Sequence, residues 1–273
     1  MSPISIALMS LMIALYGVAS VLYVGYVPFP HWGRSAAWTA RAGWAVHSLG
    51  LAVRLWETGR PPFLSFFESV LFFTWVLVLN YVVLDYFLNL RVGGAFVIPT
   101  AFWFLMGSLV LPKEIPSSTD PMLSGNWLVA HVFIGFLAYG AFLMGCLTAM
   151  MYLIQEYQLR RKAFSSLFHR LPSLEILDHL TFRLNAAGFG FLTLAVITGA
   201  VWARPAWGRH WGWESKETWS LIVWGIYGAY LLGHRLGLWR GRKGALFSLI
   251  GFLAVAFNFL AVNFWLTRLH RYF

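Results

Sequence analysis

Hydrophobic residues fall into eight long runs separated by polar stretches, approximately 4–27, 42–56, 65–88, 95–111, 126–154, 184–203, 218–234 and 245–267. A helix needs roughly 20 apolar residues to cross a bilayer. Five of the runs approach or exceed that length, and the second, fourth and seventh are short. All eight are predicted to be α-helices, because lipid leaves the backbone groups of an open strand or loop unsatisfied. Connections are brief apart from 112–125 and 155–183. No internal repeat, low-complexity tract or domain boundary interrupts the pattern. The expected fold is an all-α integral membrane protein, a polytopic bundle of about eight transmembrane helices forming one domain over residues 1–273.

Composition agrees. Of 273 residues, 59% are hydrophobic and 11% charged, with a mean hydropathy of +0.68, against about 25% charged residues in a soluble domain. The first run, MSPISIALMSLMIALYGVASVLYVGYV, lacks a basic n-region and a small-residue cleavage site, so it is expected to stay as a membrane helix. The net charge of +10 does not mark a nucleic-acid binder, because the basic residues are scattered over short loops, where they report topology. Loops after helices one, three, five and seven carry twelve: Arg34, Arg41, Arg91, Arg160, Arg161, Lys162, Arg170, Arg183, Arg235, Arg240, Arg242 and Lys243. The other side carries seven: Arg60, Lys113, Arg204, Arg209, Lys216, Arg268 and Arg271, or eight with Arg54. The more basic side is expected in the cytoplasm, which puts both termini and the loop between helices six and seven outside. The single cysteine, Cys146 in FLMGCLTAM, stands without a CxxC motif. That excludes a disulfide framework or dithiol redox centre and leaves an inert core residue.

The loop between helices six and seven changes the picture. Residues 206–219 read AWGRHWGWESKETW, with Trp207, Trp211, Trp213 and Trp219 interleaved with Arg209, His210, Glu214, Lys216 and Glu217. Such a stretch is either an interfacial girdle or a shelf for a flat ligand with a charged edge. Two histidines share its predicted side. His131, in NWLVAHVFIGFLAYGAF, lies in the first turns of helix five, and His270, in NFWLTRLHRYF, lies just past helix eight. One imidazole on each side of an aromatic shelf suits bis-histidine ligation of haem iron. Indoles can stack on the porphyrin, and Arg204, Arg209 or Lys216 can pair with its propionates. The plainer alternative is that these residues only anchor helices.

His234, in GAYLLGHRLGLWRGRKG, ends helix seven near the cytoplasmic face. An intramembrane histidine is a functional candidate, although snorkelling to the headgroups is an alternative at a helix end. His47 lies in the inner half of helix two with no assigned partner. His169 and His179 are read as solvated loop residues, and His31 in PFPHWG as structural. His210 is placed to contact a ligand on the shelf. Glu68, Asn258 and Asn263 are intramembrane polar groups, for which interhelical hydrogen bonding is the default. Asn263, two turns before His270, also suits orienting a ligand histidine.

With its KETW exit, the tryptophan loop resembles the WWD signature of haem-handling membrane proteins, here 202–219, and specifically that of the CcsA (ResC) family of cytochrome c biogenesis. Four further stretches resemble that family in order: PFLSFFESVLFFTW, NWLVAHVFIGFLAYGAF, LPSLEILDHLTFRLNAAGFGFLTLAVITGAVWA and FNFLAVNFWLTRLH. Together they mark 60–273 as the CcsA-like haem-handling region. The resemblance implies that His131 and His270 are the external axial ligands of haem b iron. It implies that His234 ligates haem entering from the cytoplasm, with no catalytic residue separate from the haem site. It also implies a CcsB (ResB) partner that supplies a further transmembrane histidine and completes a holocytochrome c synthase. In that scheme apocytochrome c, kept reduced by thiol-reducing proteins, brings its CxxCH motif over the haem, and its thiols add to the vinyl groups as thioethers. The setting is a plasma (inner) or thylakoid membrane. One departure stands out: the family commonly has Asp where this chain has Glu214. Three rivals are a haem exporter or chaperone of the CcmC type, an electron-transfer cytochrome b, and a cofactor-free transporter or scaffold. Paired histidines on one helix, usual in the cytochrome b class, are missing from all eight predicted helices.

Overall fold

The computed structural model describes residues 2–112 and 126–261. Among them are nine helices, a short 3-10 turn and no strand. The chain forms two compact units, one comprising residues 1–116 with 161–171 and the other 117–160 with 172–273.

The first unit contains α1 (Pro3–Tyr26), α2 (Trp32–Thr58), α3 (Phe66–Leu88), a 3-10 turn (Arg91–Gly93), α4 (Gly94–Ser108) and the short α6 (Ser166–Arg170). α1 packs on α2 and α4, and α3 on α4 and α2. The buried face of α2 is made of small residues, with Gly33, Ala36, Ala37, Ala40 and Gly43. A Cβ on Gly43 would stand 3.1 Å from the Tyr16 ring. Lipid tails supply no hydrophobic drive between helices, so close approach over small residues is what holds such a pair. Ends are set locally. Ser2 caps α1 ahead of Pro3, Gly59 ends α2 in the left-handed region (φ 65°), and Ser65 with Glu68 forms a capping box on α3. Glu68 also binds buried Arg54 (2.9 Å), with Arg60 at 3.8 Å; an intramembrane carboxylate is tolerated when paired in this way.

The second unit contains α5 (Asn126–Arg161), α7 (Leu174–Trp207), α8 (Ser215–Arg235) and α9 (Arg242–Ala261). Its core joins Ala138 and Phe142 of α5 to Leu192, Val223, Tyr227, Tyr230 and Val255. Phe142 stacks on Tyr227 at 3.6 Å and lies against Gly188, where a Cβ would come within 2.6 Å of the ring. Polar side chains bridge the helices: Thr148 with Thr181 (3.0 Å), Asn185 with Ser248 (2.9 Å), and Asn258 with Tyr139 (3.1 Å) and Ser220 (3.3 Å). Cys146 is buried and free.

Each of the eight apolar runs falls largely on a helix, although residues 262–267 of the last run, like most of the 112–125 loop, lie outside the described residues. Among the described residues five helices, α1, α3, α5, α7 and α9, are long and apolar enough to cross a membrane. The remaining three, α2, α4 and α8, carry the short runs. α4 has only 15 residues, and α2 and α8 include charged turns. Boundaries differ most at 155–183, expected as a loop. α5 continues to Arg161, supported by a Glu156–Arg160 pair one turn apart (2.7 Å), and Ser173 caps α7 well before its apolar run begins at 184. Hydropathy ends a helix where charge begins, but backbone hydrogen bonding does not stop there.

Candidate functional site

His131 sits in the second turn of α5 and leans on α7. Its Nδ1 lies 2.8 Å from the Ala195 carbonyl. A carbonyl only accepts, so Nδ1 carries the proton and Nε2 the lone pair. Nε2 makes no hydrogen bond among the described residues. The ring lies parallel to Trp202, with centroids 6.3 Å apart and planes at 10°. Gly199 makes room for it, because a Cβ there would stand 2.7 Å from the ring. α7 therefore sets the position, plane and tautomer of the imidazole and leaves Nε2 available to a metal.

The tryptophan loop begins where α7 ends at Gly208, in the left-handed region (φ 73°), with the Gly208 amide bound to the Arg204 carbonyl at 2.8 Å. Glu217 closes the loop from inside, accepting from the amides of Gly212 (2.7 Å) and Glu214 (3.2 Å). Glu214 is the N-cap of α8 and completes a capping box with Glu217. Burial, reinforced by the charge of Glu217 and opposed by Arg209, raises the Glu214 carboxyl above its ordinary pKa. Trp213 adopts φ 55°, a conformation costly for a bulky residue, and its side chain is 72% exposed. Trp211 packs edge-on against it at 5.9 Å, and the Trp211 Nε1 is buried with no hydrogen-bond partner among the described residues.

Arg209 folds over Gly212, 2.6 Å from where a Cβ would stand. Trp219 packs on Phe257 of α9 (4.5 Å). The Lys216 Nζ donates to the Asn258 carbonyl (3.0 Å). His210 holds the Ala200 carbonyl through Nδ1 (3.0 Å), and Arg204 is exposed in the last turn of α7. Arg204, Arg209 and Lys216 form no ion pair among the described residues. Trp207 ends α7, while Asn263 and His270 lie outside the described residues.

His234 stands at the other end of α8, about 30 Å from the tryptophan loop along the helix. It is 5% exposed. Its Nε2 is 3.2 Å from the Asp178 Oδ2, and Phe182 stacks on the ring at 4.4 Å. The Asp178 Oδ1 accepts from the Gly241 amide (2.9 Å). Beside the pair lies a cavity of about 380 Å³ bordered by Glu175, Asp178, His179, Phe182, His234, Arg235 and Arg240. His179, expected to be merely solvated, thus shares a cavity with His234. His47 is buried on α2 with its Nδ1 3.5 Å from the Tyr16 hydroxyl, a partner its sequence position did not reveal. His31 is beside the rings of Phe29 (6.2 Å) and Trp32 (6.3 Å).

Four groups were not singled out from the sequence. Ala195 and Asp178 act on histidines 64 and 56 residues away, and Gly199 acts through space it leaves empty, so none carries a local signal. Glu217 does carry one: an acceptor, two residues, then Glu ahead of an apolar run.

With five helices long and apolar enough to cross a membrane and no strand among the described residues, the chain is a multi-pass membrane protein. Residues 63–270 match the family model described as cytochrome c assembly protein, and the chain belongs to that family. The protein named cytochrome c biogenesis protein CcsA of Guillardia theta is 35% identical over 81% of this chain and 80% of its own length. Its namesake from Chlorella vulgaris is 34% identical (82% and 81%), and that from Thermosynechococcus vestitus is 32% identical (95% and 94%). Among solved structures, one named cytochrome c heme lyase CcmF superposes with a TM-score of 0.70 at 17% identity. That likeness of fold covers 98% of this chain and 47% of the solved one, so the chain spans about half its length. The chain's place is in cytochrome c assembly.

Proposed function

We propose that this protein binds haem b as cargo and presents it on the extracytoplasmic side of the membrane for covalent attachment to apocytochrome c, together with a CcsB (ResB) partner. The observation that carries this reading is the His131 pose: the ring is fixed by the Ala195 carbonyl, backed by Trp202 and cleared by Gly199, with Nε2 unbonded among the described residues. The surroundings fit the group. A buried Trp211 Nε1 lacks an acceptor among the described residues. Arg204 and Arg209, which form no ion pair among those residues, suit the two propionates, and a propionate beside Lys216 would favour the charged form that burial opposes, its pKa being pushed down to about 7.

In this reading His131 and His270 hold the iron from opposite sides. Trp207, Trp211, Trp213 and Trp219 exclude water from the porphyrin, and Arg204, Arg209 and Lys216 neutralise its carboxylates. Glu214 shapes the loop, and Asn263 orients His270. His234 receives haem at the inner end of the same four-helix unit. Haem and the thiols of CxxCH, kept reduced by partner proteins, supply the reactive groups, and the thiols add across the vinyl groups to form thioethers. The chain contributes position and electrostatics.

The test is to purify the chain with its partner from haem-replete cells and record the visible spectrum. A bis-histidine spectrum is expected, weakened in His131→Ala and His270→Ala and partly restored by imidazole. A colourless wild-type preparation would overturn the reading. Normal cytochrome c maturation in both variants would overturn the ligand assignment, and export of haem without thioether formation would point to the CcmC-type chaperone instead.

A further inference from the structure

Three successive residues near the end of α9 reach the helices on which the outer site is built. Phe257 packs on Trp219 (4.5 Å), and Phe259 meets Phe136 and Tyr139 of α5 (6.1 Å each). Asn258, between them, is fully buried. Its Nδ2 donates to the Tyr139 hydroxyl (3.1 Å) and to the Ser220 Oγ of α8 (3.3 Å), and its carbonyl accepts from the Lys216 Nζ (3.0 Å). One residue thus ties α9 to the helix of His131, to α8 and to the cation in the first turn of α8. An ammonium has three N–H groups. The other two of Lys216 make no hydrogen bond among the described residues. Of the three cations near the tryptophan loop, Lys216 is the one whose charge acts on the His131 ring.

We propose that Asn258 is a positioning residue of the outer haem site, holding the Lys216 ammonium in a fixed place relative to the His131 Nε2. One rigid porphyrin then meets both, the iron at the imidazole and a propionate at the ammonium. The proposal rests on the reading of His131 as a haem ligand. Lysine has a flexible four-carbon stem, and pinning it before the ligand arrives spares that loss of freedom on binding. Asn258 does not act by adding stability. Its Oδ1 is buried with no partner among the described residues, so an apolar side chain of similar size removes an unsatisfied acceptor along with the two donated bonds. Replacing it therefore changes the placement of Lys216 more than it changes folding.

The experiment uses the full chain co-purified with its partner subunit and stripped of haem. Two probes are titrated in, haem and haem whose propionates are methyl esters, and affinity and Soret band are recorded for each. The wild type is expected to prefer the free acid at least tenfold, the usual scale for a hydrogen bond to a charged group. Lys216→Met and Asn258→Leu should each cut that preference about tenfold, with affinity for the diester and its Soret band unchanged. The double variant should lose no more than either alone, because the two act as one unit. Should Asn258→Leu fail to accumulate, Tyr139→Phe removes a partner of the carboxamide with Asn258 in place and is expected to show the same drop. A merely structural Asn258 would weaken both probes equally, and that outcome overturns its role. Full preference in Asn258→Leu, with loss in Lys216→Met, also overturns it and leaves Lys216 as the propionate cation. Full preference in Lys216→Met removes that cation and the proposal with it. A wild type that binds neither probe overturns the haem reading itself.

Discussion

Gly199 carries a prediction that separates geometry from stability. Alanine is the better helix former by about 1 kcal/mol, so Gly199→Ala should leave α7 intact or firmer. Its methyl would stand 2.7 Å from the His131 ring, pushing the imidazole off the Ala195 carbonyl. The expected outcome is a several-fold lower haem-to-protein ratio in a variant that purifies normally. Gly190→Ala, on the same helix with nothing within 4 Å of its Cβ, is the control and should bind as wild type. Equal haem content in both variants would show that the His131 pose is not what holds the ligand. At this scale the sequence was informative about which histidines to consider and silent about what fixes them. His131 was legible from its place in an apolar run. Ala195, Gly199 and Asp178 were not, because a backbone carbonyl, a missing side chain and a carboxylate in a polar stretch become partners only when helices meet.

The elements that shape the loop answer the question raised by Glu214. It stands at the N-cap of α8, where Asp is among the preferred residues and Glu is not. Glu217 compensates by holding the Gly212 and Glu214 amides. Glu214→Asp should therefore keep thermal stability and haem binding, whereas Glu214→Ala should cost about 1 kcal/mol. Glu217→Ala should speed amide hydrogen exchange at residues 212–217 without affecting α9, as read by mass spectrometry. Slow exchange there in Glu217→Ala would mean that the loop is held by something else. Helix existence was read correctly from the apolar runs, but helix ends were not. α2 starts at Trp32 instead of near 42, because the alanine-rich segment SAAWTARAG favours a helix without being strongly apolar. α7 starts at Leu174 because Ser173 caps it. Capping and propensity act outside the apolar runs.

Across the second unit, the two ends differ in chemistry, and this bears on orientation. One end gathers His131, the tryptophan loop and Lys216. At the other, Glu156 near the end of α5 pairs with both Arg160 and Arg242, so the two densest basic clusters, expected on one side from sequence, meet at the end that also holds His234. A protein inserted with its basic loops in the cytoplasm would then present the tryptophan loop outside. Single cysteines at Arg209, Lys162 and Lys243, all exposed positions, test this in intact cells with a membrane-impermeant thiol reagent. The native Cys146 is buried and should stay silent. Arg209→Cys is expected to label, and Lys162→Cys and Lys243→Cys only after the membrane is permeabilised. The reverse pattern would place the loop and His131 in the cytoplasm, where a site for delivering haem to an exported apocytochrome has no use, and would require the His234 cavity to be the exit instead of the entrance.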